Sequence, residues 1–469
     1  MTRTRSALVA VVVLVVAALV APGAWAQPDR GPRRPDYQPG APGAGDPYFP
    51  LAGNGGYDVQ HYDLDIRYDP ATRAFDGVAT IDLVTTQDLD HFNLDLRDLT
   101  VERVHIDGKR TRFTHEGQEL VLRPRPKLRA GTAHEVVVTY GGTTGNPTDV
   151  EGAPYGWWST DDGAMVVNEP DGAPTWFPVN DHPTDKATYS FSITVPQGTV
   201  AVANGLLTGT STRRGWTTYE WEEPDQMASY LATATVGDFE LRQWTTADGL
   251  PIIDAVDRDL PASATAPLAD TERMIAFFED LYGPYPFVSY GAIADDDSVG
   301  YALETQTRPV YSRNFGEGTV AHELAHQWLG NAVSPGRWAD IWLNEGWATY
   351  STWLWNDFDG NRPLQQSFDM AYTNRPSSFW RTIVADPGFD NLFASAVYDR
   401  GAMTLHQLRQ RIGDADFFEL ARTWIATYDD GTATTADFIA LAEQISGQDL
   451  DAFFTAWLYT PEQPSLTGP

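Results

Sequence analysis

Cysteine is absent from this chain of 469 residues, and lysine occurs only three times. Without cysteine the protein can form no disulfide, no thiolate metal site and no cysteine nucleophile. A metal site would therefore have to use histidine, aspartate and glutamate. Positive charge is also scarce, because 64 acidic residues outnumber 32 basic ones and give a formal net charge of −32. Nucleic acids and anionic membranes bind clustered lysine and arginine, so this balance argues against both as partners.

Long apolar runs are missing except at the N-terminus. There the basic start MTRTR precedes an apolar run over 7–21 and the small-residue sequence APGAWA. This order is typical of a secretory signal peptide over 1–26, cleaved after Ala26, and the run is too short for a membrane span. We therefore expect a secreted protein with no stable membrane anchor. Residues 27–46 are rich in Pro, Gly and Arg and predict a disordered linker.

The remaining sequence changes its periodicity once, which predicts an α+β multidomain chain with two or three separate cores. Residues 47–241 contain short alternating runs such as DLDIRY, HEVVVTY and YSFSITV between turn residues, which predict an antiparallel β-sandwich or saddle. Residues 242–469 show mainly helical spacing. We expect one strand there, over 300–311.

The stretch VAHELAHQWLG, residues 320–330, lies in one of the predicted helices. His322 and His326 are one turn apart on one face and can bind a single ion, while Glu323 points to its side. A zinc hydrolase needs a third protein ligand and an open position for water. Glu345, in WLNEGWATY on the next predicted helix, is the candidate ligand. The alternative is a helix that only packs, with its histidines hydrogen-bonded.

The motifs HELAHQW and WLNEGWATY resemble those of the zinc aminopeptidases of the aminopeptidase N family, which are gluzincins, and the resemblance covers about residues 50–460. It implies a β-rich domain followed by a thermolysin-like catalytic domain with one Zn²⁺ per chain. His322, His326 and Glu345 would be the zinc ligands and Glu323 the general base. The family usually has a further C-terminal helical domain, so the resemblance implies a short form that lacks it.

Three more stretches extend the resemblance. VYDRGAMTL implies that Tyr398 stabilises the oxyanion, and YALETQT aligns with the family strand motif GAMEN, which places Glu304 at the free amine of the substrate. NEPDGAPTWFPVNDHPTDKATY implies a second amine-binding acid, Glu169. Arg400 would either steady a carboxylate near the metal or form a surface ion pair, and we favour the surface pair.

Some positions depart from the family pattern. Tyr301 and Thr305 stand where the strand motif has Gly and Asn, so backbone contacts with an extended peptide would differ. Pro174 replaces an arginine that is common in the β-domain segment near Glu169.

Three functions from different classes fit the sequence. The first is a secreted zinc aminopeptidase that removes N-terminal residues from peptides with a metal-activated water, its partners being peptides with a free N-terminus. The second is a thermolysin-like zinc endopeptidase, and the third is a non-enzymatic binding module on a peptidase scaffold. The β-rich half and the acids Glu169 and Glu304 favour the first, and the complete set of ligands and catalytic residues argues against the third.

Overall fold

The computed structural model of the protein describes residues 36–149, 152–373 and 375–466. The predicted signal peptide and most of the predicted linker lie outside these residues. Within the described ranges, no helix is both long and apolar enough to cross a membrane.

The N-terminal half consists of β-strands in which buried and exposed residues alternate. In the strand Tyr57–Asp69, Leu64, Ile66 and Tyr68 are buried, whereas the charged residues between them face solvent. A sheet with one buried and one solvated face requires this pattern. The strands are β1 (Gln38–Pro39), β2 (Tyr57–Asp69), β3 (Ala74–Thr85), β4 (Leu89–Asp95), β5 (Thr100–Ile106), β6 (Lys109–Glu116), β7 (Glu119–Arg123), β8 (Ala133–Thr143), β9 (Gly156–Ser159), β10 (Ala164–Val167), β11 (Lys186–Pro196), β12 (Val200–Ala203), β13 (Leu206–Arg213), β14 (Trp216–Ala228), β15 (Ala234–Gly237), β16 (Phe239–Thr245) and β17 (Pro251–Asp257).

Eleven of these strands form one large sheet, in the order β1-β4-β7-β6-β5-β8-β3-β2-β11-β14-β13. A smaller sheet has the order β12-β15-β10-β9. The large sheet confirms the predicted β-rich half. Two of its pairings, β1 with β4 and β2 with β11, are parallel, which differs from the antiparallel expectation. Alternation of residues along a strand predicts its buried face but not its partner, and β11 lies far from β2 in the sequence.

The C-terminal half is mainly helical, as predicted. Its helices are α1 (Thr271–Tyr282), α2 (Glu317–His326), α3 (Trp342–Phe358), α4 (Leu364–Tyr372), α5 (Ser377–Trp380), α6 (Ser395–Ile412), α7 (Asp414–Tyr428), α8 (Thr435–Ser446) and α9 (Asp451–Phe454). Local sequence sets several ends. Gly413 separates α6 from α7, and α8 begins with a capping box between Thr434 and Asp437.

The strand predicted over 300–311 is wrong in its extent. The structure has two short antiparallel strands there, β19 (Ala302–Leu303) and β20 (Val310–Tyr311), joined by a turn in which Thr307 has a left-handed φ of 63°. Together with β18 (Ile293–Ala294) they continue a five-stranded sheet, β16-β17-β18-β20-β19. The turn lacks Gly, and its Pro309 stands directly before β20, where proline is tolerated, so the alternating pattern alone predicts one continuous strand. A last pair, β21 (Val333–Pro335) with β22 (Gly431–Ala433), joins loops of the helical half.

The end of the predicted disordered linker is ordered. Within 36–46, β1 pairs with β4, and the buried side chain of Asp46 accepts hydrogen bonds from the backbone N–H groups of Trp338 and Tyr48. Backbone pairing and one buried carboxylate attach this segment to the rest of the protein, and amino-acid composition reports neither of them.

One large apolar core extends through both halves, from the large sheet to the last helix, beside a small separate cluster of Val256, Leu260 and Ala294, whereas the chain length predicted two or three cores of substantial size. Polar contacts also cross between the halves. Lys186 of β11, itself buried, donates to the carbonyl oxygens of Asn331 and Ala332, at 2.8 and 3.0 Å. The β-rich half therefore contributes directly to the walls around α2 and α3.

Candidate metal centre and its cleft

The two predicted metal-binding histidines and the predicted glutamate meet between α2 and α3. His322 Nε2 and His326 Nε2 lie 3.0 and 3.5 Å from the same atom, Glu345 Oε2. One ligand atom from each residue lies within 4.8 Å of the other two. Zinc with ligands at about 2.0–2.2 Å in tetrahedral geometry separates its donor atoms by roughly 3.3 Å. The three side chains therefore fit a zinc ion.

The loop after α2 lets the second histidine ring face this point. His326 Nδ1 lies 3.3 Å from the carbonyl oxygen of Leu329, which orients the ring so that Nε2 is directed at Glu345. A Cβ atom on Gly330 would lie only 3.0 Å from His326 Nδ1 and 3.2 Å from the Asn344 side chain, and Gly330 has a φ of +138°. Glycine is therefore required for the chain to pass the ring.

Electrostatics at the three side chains favour a bound cation. Burial lowers the pKa of His322, which favours the neutral imidazole that binds metals. Burial opposes ionisation of Glu345, yet the two histidines outweigh it and hold the pKa of that carboxyl well below its usual value. Burial also opposes a proton on His326, but the carboxylates of Glu304 and Glu345 raise its pKa. The negative charge of these carboxylates would therefore stabilise a cation bound between His322, His326 and Glu345.

Two further carboxylates lie beside the triad. Glu304 follows β19 directly, and Glu169 lies in the turn after β10. Oxygens of Glu169, Glu304 and Glu345 lie within 4.8 Å of one another. Within the described part of the chain, Glu169 Oε1 and Glu304 Oε1 are buried without a hydrogen-bond partner. A buried carboxylate oxygen without a partner is unfavourable, so the arrangement suits a second cation next to the metal position.

Glu323 completes the acidic lining of the cleft. It lies on α2 between the two histidines, is 5% exposed, and has an oxygen within 4.8 Å of Glu304 and His326. Burial and the neighbouring carboxylates raise its pKa and that of Glu169 well above the usual value. The cleft is a cavity of about 340 Å³ that both halves line. Its lining residues are Asp149, Ala153, Glu169, Tyr301, Ala302, Leu303, Glu304, His322, Glu323, His326, Glu345, Phe393 and Tyr398.

Tyr398 enters the cleft from the first turns of α6. Its ring lies 6.1 Å from the His322 ring at an interplanar angle of 22°, and burial raises the pKa of its hydroxyl well above 10, so the group stays a proton donor. α6 and α3 touch at two glycines, because a Cβ on Gly346 would lie 2.9 Å from the Gly401 Cα. This contact brings Tyr398 of α6 close to Glu345 of α3.

Comparison with known proteins agrees with this arrangement. Residues 297–457 match the peptidase family M1 domain, and residues 58–231 match the peptidase M1 N-terminal domain. The chain belongs to the M1 peptidase family. The family predicted from the motifs is thereby confirmed, and its members use one catalytic zinc ion, for which His322, His326 and Glu345 are the fitting ligands here.

Relatives of this M1 peptidase include aminopeptidases. It is 25% identical to Aminopeptidase M1-D of Oryza sativa subsp. japonica over 85% of this chain and 49% of that protein. It is 26% identical to Aminopeptidase N of Lactococcus lactis subsp. lactis, over 62% of this chain and 38% of that protein. Leukotriene A-4 hydrolase of Xenopus laevis is 23% identical, over 87% of this chain and 72% of its own length. The chain thus spans about half the length, or less, of the aminopeptidases it matches.

Among proteins of known structure, the match covers a larger share of the other chain than it does for these aminopeptidases. The M1 zinc metallopeptidase of Deinococcus radiodurans is 29% identical, with a TM-score of 0.84, and the match covers 91% of this chain and all of that one. A mutant of that protein bound to the substrate Tyr-Ser-Ala is 28% identical, with a TM-score of 0.85 and the same coverage.

The structure corrects the expectation for Arg400. In this M1 peptidase Arg400 is fully buried and forms no surface ion pair. Its guanidinium donates to the carbonyl oxygens of Trp380, Ala456 and Thr460 at 2.9, 3.0 and 2.6 Å. Arg400 therefore joins α6 to the C-terminal segment through backbone carbonyl groups, which is neither the favoured surface ion pair nor the alternative contact with a carboxylate near the metal. A partner made of backbone oxygens has no sequence signature.

The departures from the family pattern have structural counterparts. The hydroxyl of Tyr301, at the Gly position of the strand motif, donates to the Pro154 carbonyl oxygen at 2.7 Å and spans one side of the cleft. Thr305, at the Asn position, donates to the Arg308 carbonyl oxygen at 2.5 Å and closes the turn behind Glu304. Pro174 lies buried in a 3₁₀ turn, where its carbonyl oxygen accepts from Arg97 N.

Two residues that the sequence argument did not select support Glu304. Gln327 Nε2 and Asn331 Nδ2 donate to the Glu304 carbonyl oxygen at 3.2 and 2.7 Å, and Gln327 Oε1 accepts from Thr307 N at 2.8 Å. Both are fully buried. In the sequence, Gln327 and Asn331 are only two uncharged polar residues after the second histidine of the motif. Such a pattern predicts no particular role until the fold shows that both side chains face the Glu304 carbonyl oxygen.

Proposed function

We propose that this protein is a zinc aminopeptidase that hydrolyses the first peptide bond of peptides with a free N-terminus. One observation carries the proposal: four glutamates, Glu169, Glu304, Glu323 and Glu345, converge on one buried cavity beside two histidines. A dication at the triad and a terminal ammonium beside it would neutralise this charge. The names of the relatives support the same activity, as does the Tyr-Ser-Ala complex of the Deinococcus radiodurans protein.

Recognition of the amine decides which bond is cut. Glu169 and Glu304 offer buried carboxylate oxygens, and carboxylates bind ammonium groups by charge-assisted hydrogen bonds. These oxygens lie within 4.8 Å of Glu345, so an ammonium bound there leaves room for little more than one residue before the metal position. The first peptide carbonyl would then lie at the metal, which favours removal of single residues and disfavours a thermolysin-like endopeptidase.

The chain's own residues supply the proton transfers. Zinc bound by His322, His326 and Glu345 would polarise the scissile carbonyl and lower the pKa of the attacking water. Glu323 accepts a proton from that water as it attacks and donates it to the leaving amine. Its buried position, which raises its pKa, suits a group that carries the proton between the two steps. The hydroxyl of Tyr398 donates a hydrogen bond to the carbonyl oxygen as negative charge grows there.

Export is also part of the proposal. The basic start, apolar run and small-residue end of 1–26 support cleavage after Ala26 and a secreted enzyme. N-terminal sequencing of the protein from the culture medium tests this. We expect the mature chain to begin at Gln27, and a protein retained in cells with its N-terminus intact would contradict it.

A panel of aminoacyl amides and their N-acetylated counterparts tests the activity. We expect hydrolysis of the free-amine compounds only, its loss with a chelator, and its recovery when zinc is returned. Equal hydrolysis of the N-acetylated compounds, or cleavage inside blocked peptides, would favour the endopeptidase. Activity that persists after complete removal of zinc would contradict the metal-dependent mechanism.

A further inference from the structure

The few basic residues of this acidic chain are concentrated in one place. Eight of its 32 lysines and arginines lie between Arg103 and Arg129, together with only three acidic residues. They lie on β5, β6, β7 and the coil after β7, and most of them are exposed. The net negative charge of the chain argued against a cluster of cations, yet this segment forms one locally.

Five of these eight residues line two adjoining depressions, which together we call the groove. The two depressions share Pro124, Arg125, Pro126 and Lys127. The first also has Lys109, Arg129 and His134 in its wall, and the second has Arg123 and His91. Five lysines and arginines in the two walls face only two carboxylates, Asp90 and Asp107. Asp90 already lies against His91 and Lys127, and Asp107 against His134. Residues that line the groove do not line the catalytic cavity.

At the edge of this groove, one pair of like charges is unfavourable for stability. Arg112 and Arg123 are directly opposite each other on the antiparallel strands β6 and β7, and both are exposed. Like charges placed opposite across two strands are destabilising. Among the ion pairs of the described residues, none includes Arg123, Arg125 or Arg129. A bound anion would relieve this repulsion.

The shape and chemistry of the groove select among anions. Arginine predominates, and its guanidinium matches the geometry of phosphate through paired hydrogen bonds. The groove is concave, whereas a bilayer is flat. The residues that line the two depressions include no aromatic side chain besides His91 and His134, and the neighbouring Tyr37 ring already lies 5.2 Å from Lys127 Nζ, so the groove offers no series of rings on which successive nucleic-acid bases could stack. Acidic groups farther than about 8 Å are largely screened at physiological ionic strength, so the acidic remainder of the surface does not prevent binding.

We propose that this groove binds a linear phosphate polymer, independently of peptide hydrolysis. Arg123 at the end of β7 and Arg125, Lys127 and Arg129 in the coil after it occupy alternate positions, are all exposed and line the groove, so they offer a series of cations to a row of phosphates. Such a contact would attach the enzyme to a polyanionic matrix while the cleft remains available to peptides.

Binding of long-chain inorganic polyphosphate, measured by calorimetry over a range of salt concentrations, tests the proposal. We expect the double variant R123Q/R125Q to bind at least about tenfold more weakly, and the slope of log K against log salt to fall by roughly 1.4 for the two charges removed. The matched control R213Q/R214Q, which removes two exposed arginines at the edge strand β13, should bind like the wild type. Hydrolysis of aminoacyl amides should be the same in all three proteins.

Several outcomes would overturn the proposal. They are no binding of polyphosphate by the wild type, an equal loss in the control variant, or tighter binding to phosphatidylglycerol vesicles or single-stranded DNA than to polyphosphate. Removal of Arg123 relieves its repulsion with Arg112, so the double variant should not unfold at a lower temperature than the wild type. If the double variant does unfold at a lower temperature, the single variant R129Q is tested instead. Its slope of log K against log salt should fall by about half as much, because only one charge is removed.

Discussion

At the scale of single residues, Glu323 and Glu304 have the same chemistry but different positions. Glu323 lies between the two candidate zinc ligands of α2, His322 and His326, whereas Glu304 follows β19 and lies beside Glu169. We therefore assign the proton transfer to Glu323 and the binding of the substrate amine to Glu304. Substitution by glutamine, which keeps size and removes charge, should separate the two roles.

For Glu323→Gln we expect kcat to fall by about 10²- to 10⁴-fold with zinc content unchanged, because a general base is lost while the ligands stay intact. Steady-state kinetics and metal analysis measure both. Glu317→Gln is the matched control on the same helix, since its glutamine can still accept the Trp355 indole N–H. A near-normal rate in Glu323→Gln would remove this residue from the mechanism.

For Glu304→Gln we expect KM for free-amine substrates to rise by roughly 10- to 150-fold, which corresponds to a charge-assisted hydrogen bond of about 1.5–3 kcal/mol. Binding of N-acetylated inhibitors should change little. Competition assays with matched free and acetylated compounds give the comparison. If both classes lose affinity equally, Glu304 does not recognise the amine.

Lys186 provides a pH test away from the metal. Burial lowers its pKa to about 7, far below the usual value of about 10.4 in an unfolded chain. Between these values the unfolded chain binds more protons than the folded one, so the stability that Lys186 contributes rises with pH, by at most about 1.4 kcal/mol per pH unit. We compare the free energies of urea unfolding of the wild type and of Lys186→Met. From pH 7 to pH 9 the free energy of unfolding should rise in the wild type relative to the variant. A constant difference would mean that Lys186 is not titrating in this range.

At the scale of elements, the contact of α3 with α6 sets the distance between Glu345 and Tyr398. We expect Gly401→Ala to cost about 1–3 kcal/mol in unfolding free energy, because its Cβ would lie 2.8 Å from the Gly346 Cα. Activity should fall as well, since the helices must separate. Gly318→Ala is the control, because its Cβ meets the Thr352 Cγ2 at an ordinary 3.5 Å. Chemical denaturation measures the unfolding free energy of the two variants, and steady-state kinetics measures their kcat. A Gly401→Ala protein with wild-type stability and kcat would show that the helices adjust to the added methyl group.

Elements with a strong local signal could be predicted from the sequence, and elements that depend on distant partners could not. Spacing in HELAHQW and WLNEGWATY predicted α2, α3 and the candidate ligands that the structure brings together. Alternation predicted the strands of the large sheet but not the parallel pairing of β2 with β11. The sequence also did not predict the hairpin within 300–311, the ordered residues 36–46 and the buried Arg400. For the ordered segment and Arg400 the missing information was a contact with a residue far away in the chain, whereas for the hairpin it was a turn that lacks Gly between two strands only a few residues apart.

At the scale of the whole molecule, the cleft exists only where the two halves meet. Glu169 comes from the β-rich half, and the triad, Glu304 and Tyr398 come from the other. A common core and contacts such as Lys186 with Asn331 keep these groups together. Proteolytic separation of the halves should therefore abolish amine recognition and catalysis together.

The most direct test of the central claim is an anomalous difference map from crystals of the zinc-loaded protein, recorded at the zinc absorption edge. We predict one peak per chain, about 2.0–2.2 Å from His322 Nε2, His326 Nε2 and a Glu345 carboxylate oxygen. A peak elsewhere, or a Glu345 side chain turned away from an ion bound by the histidines, would contradict it.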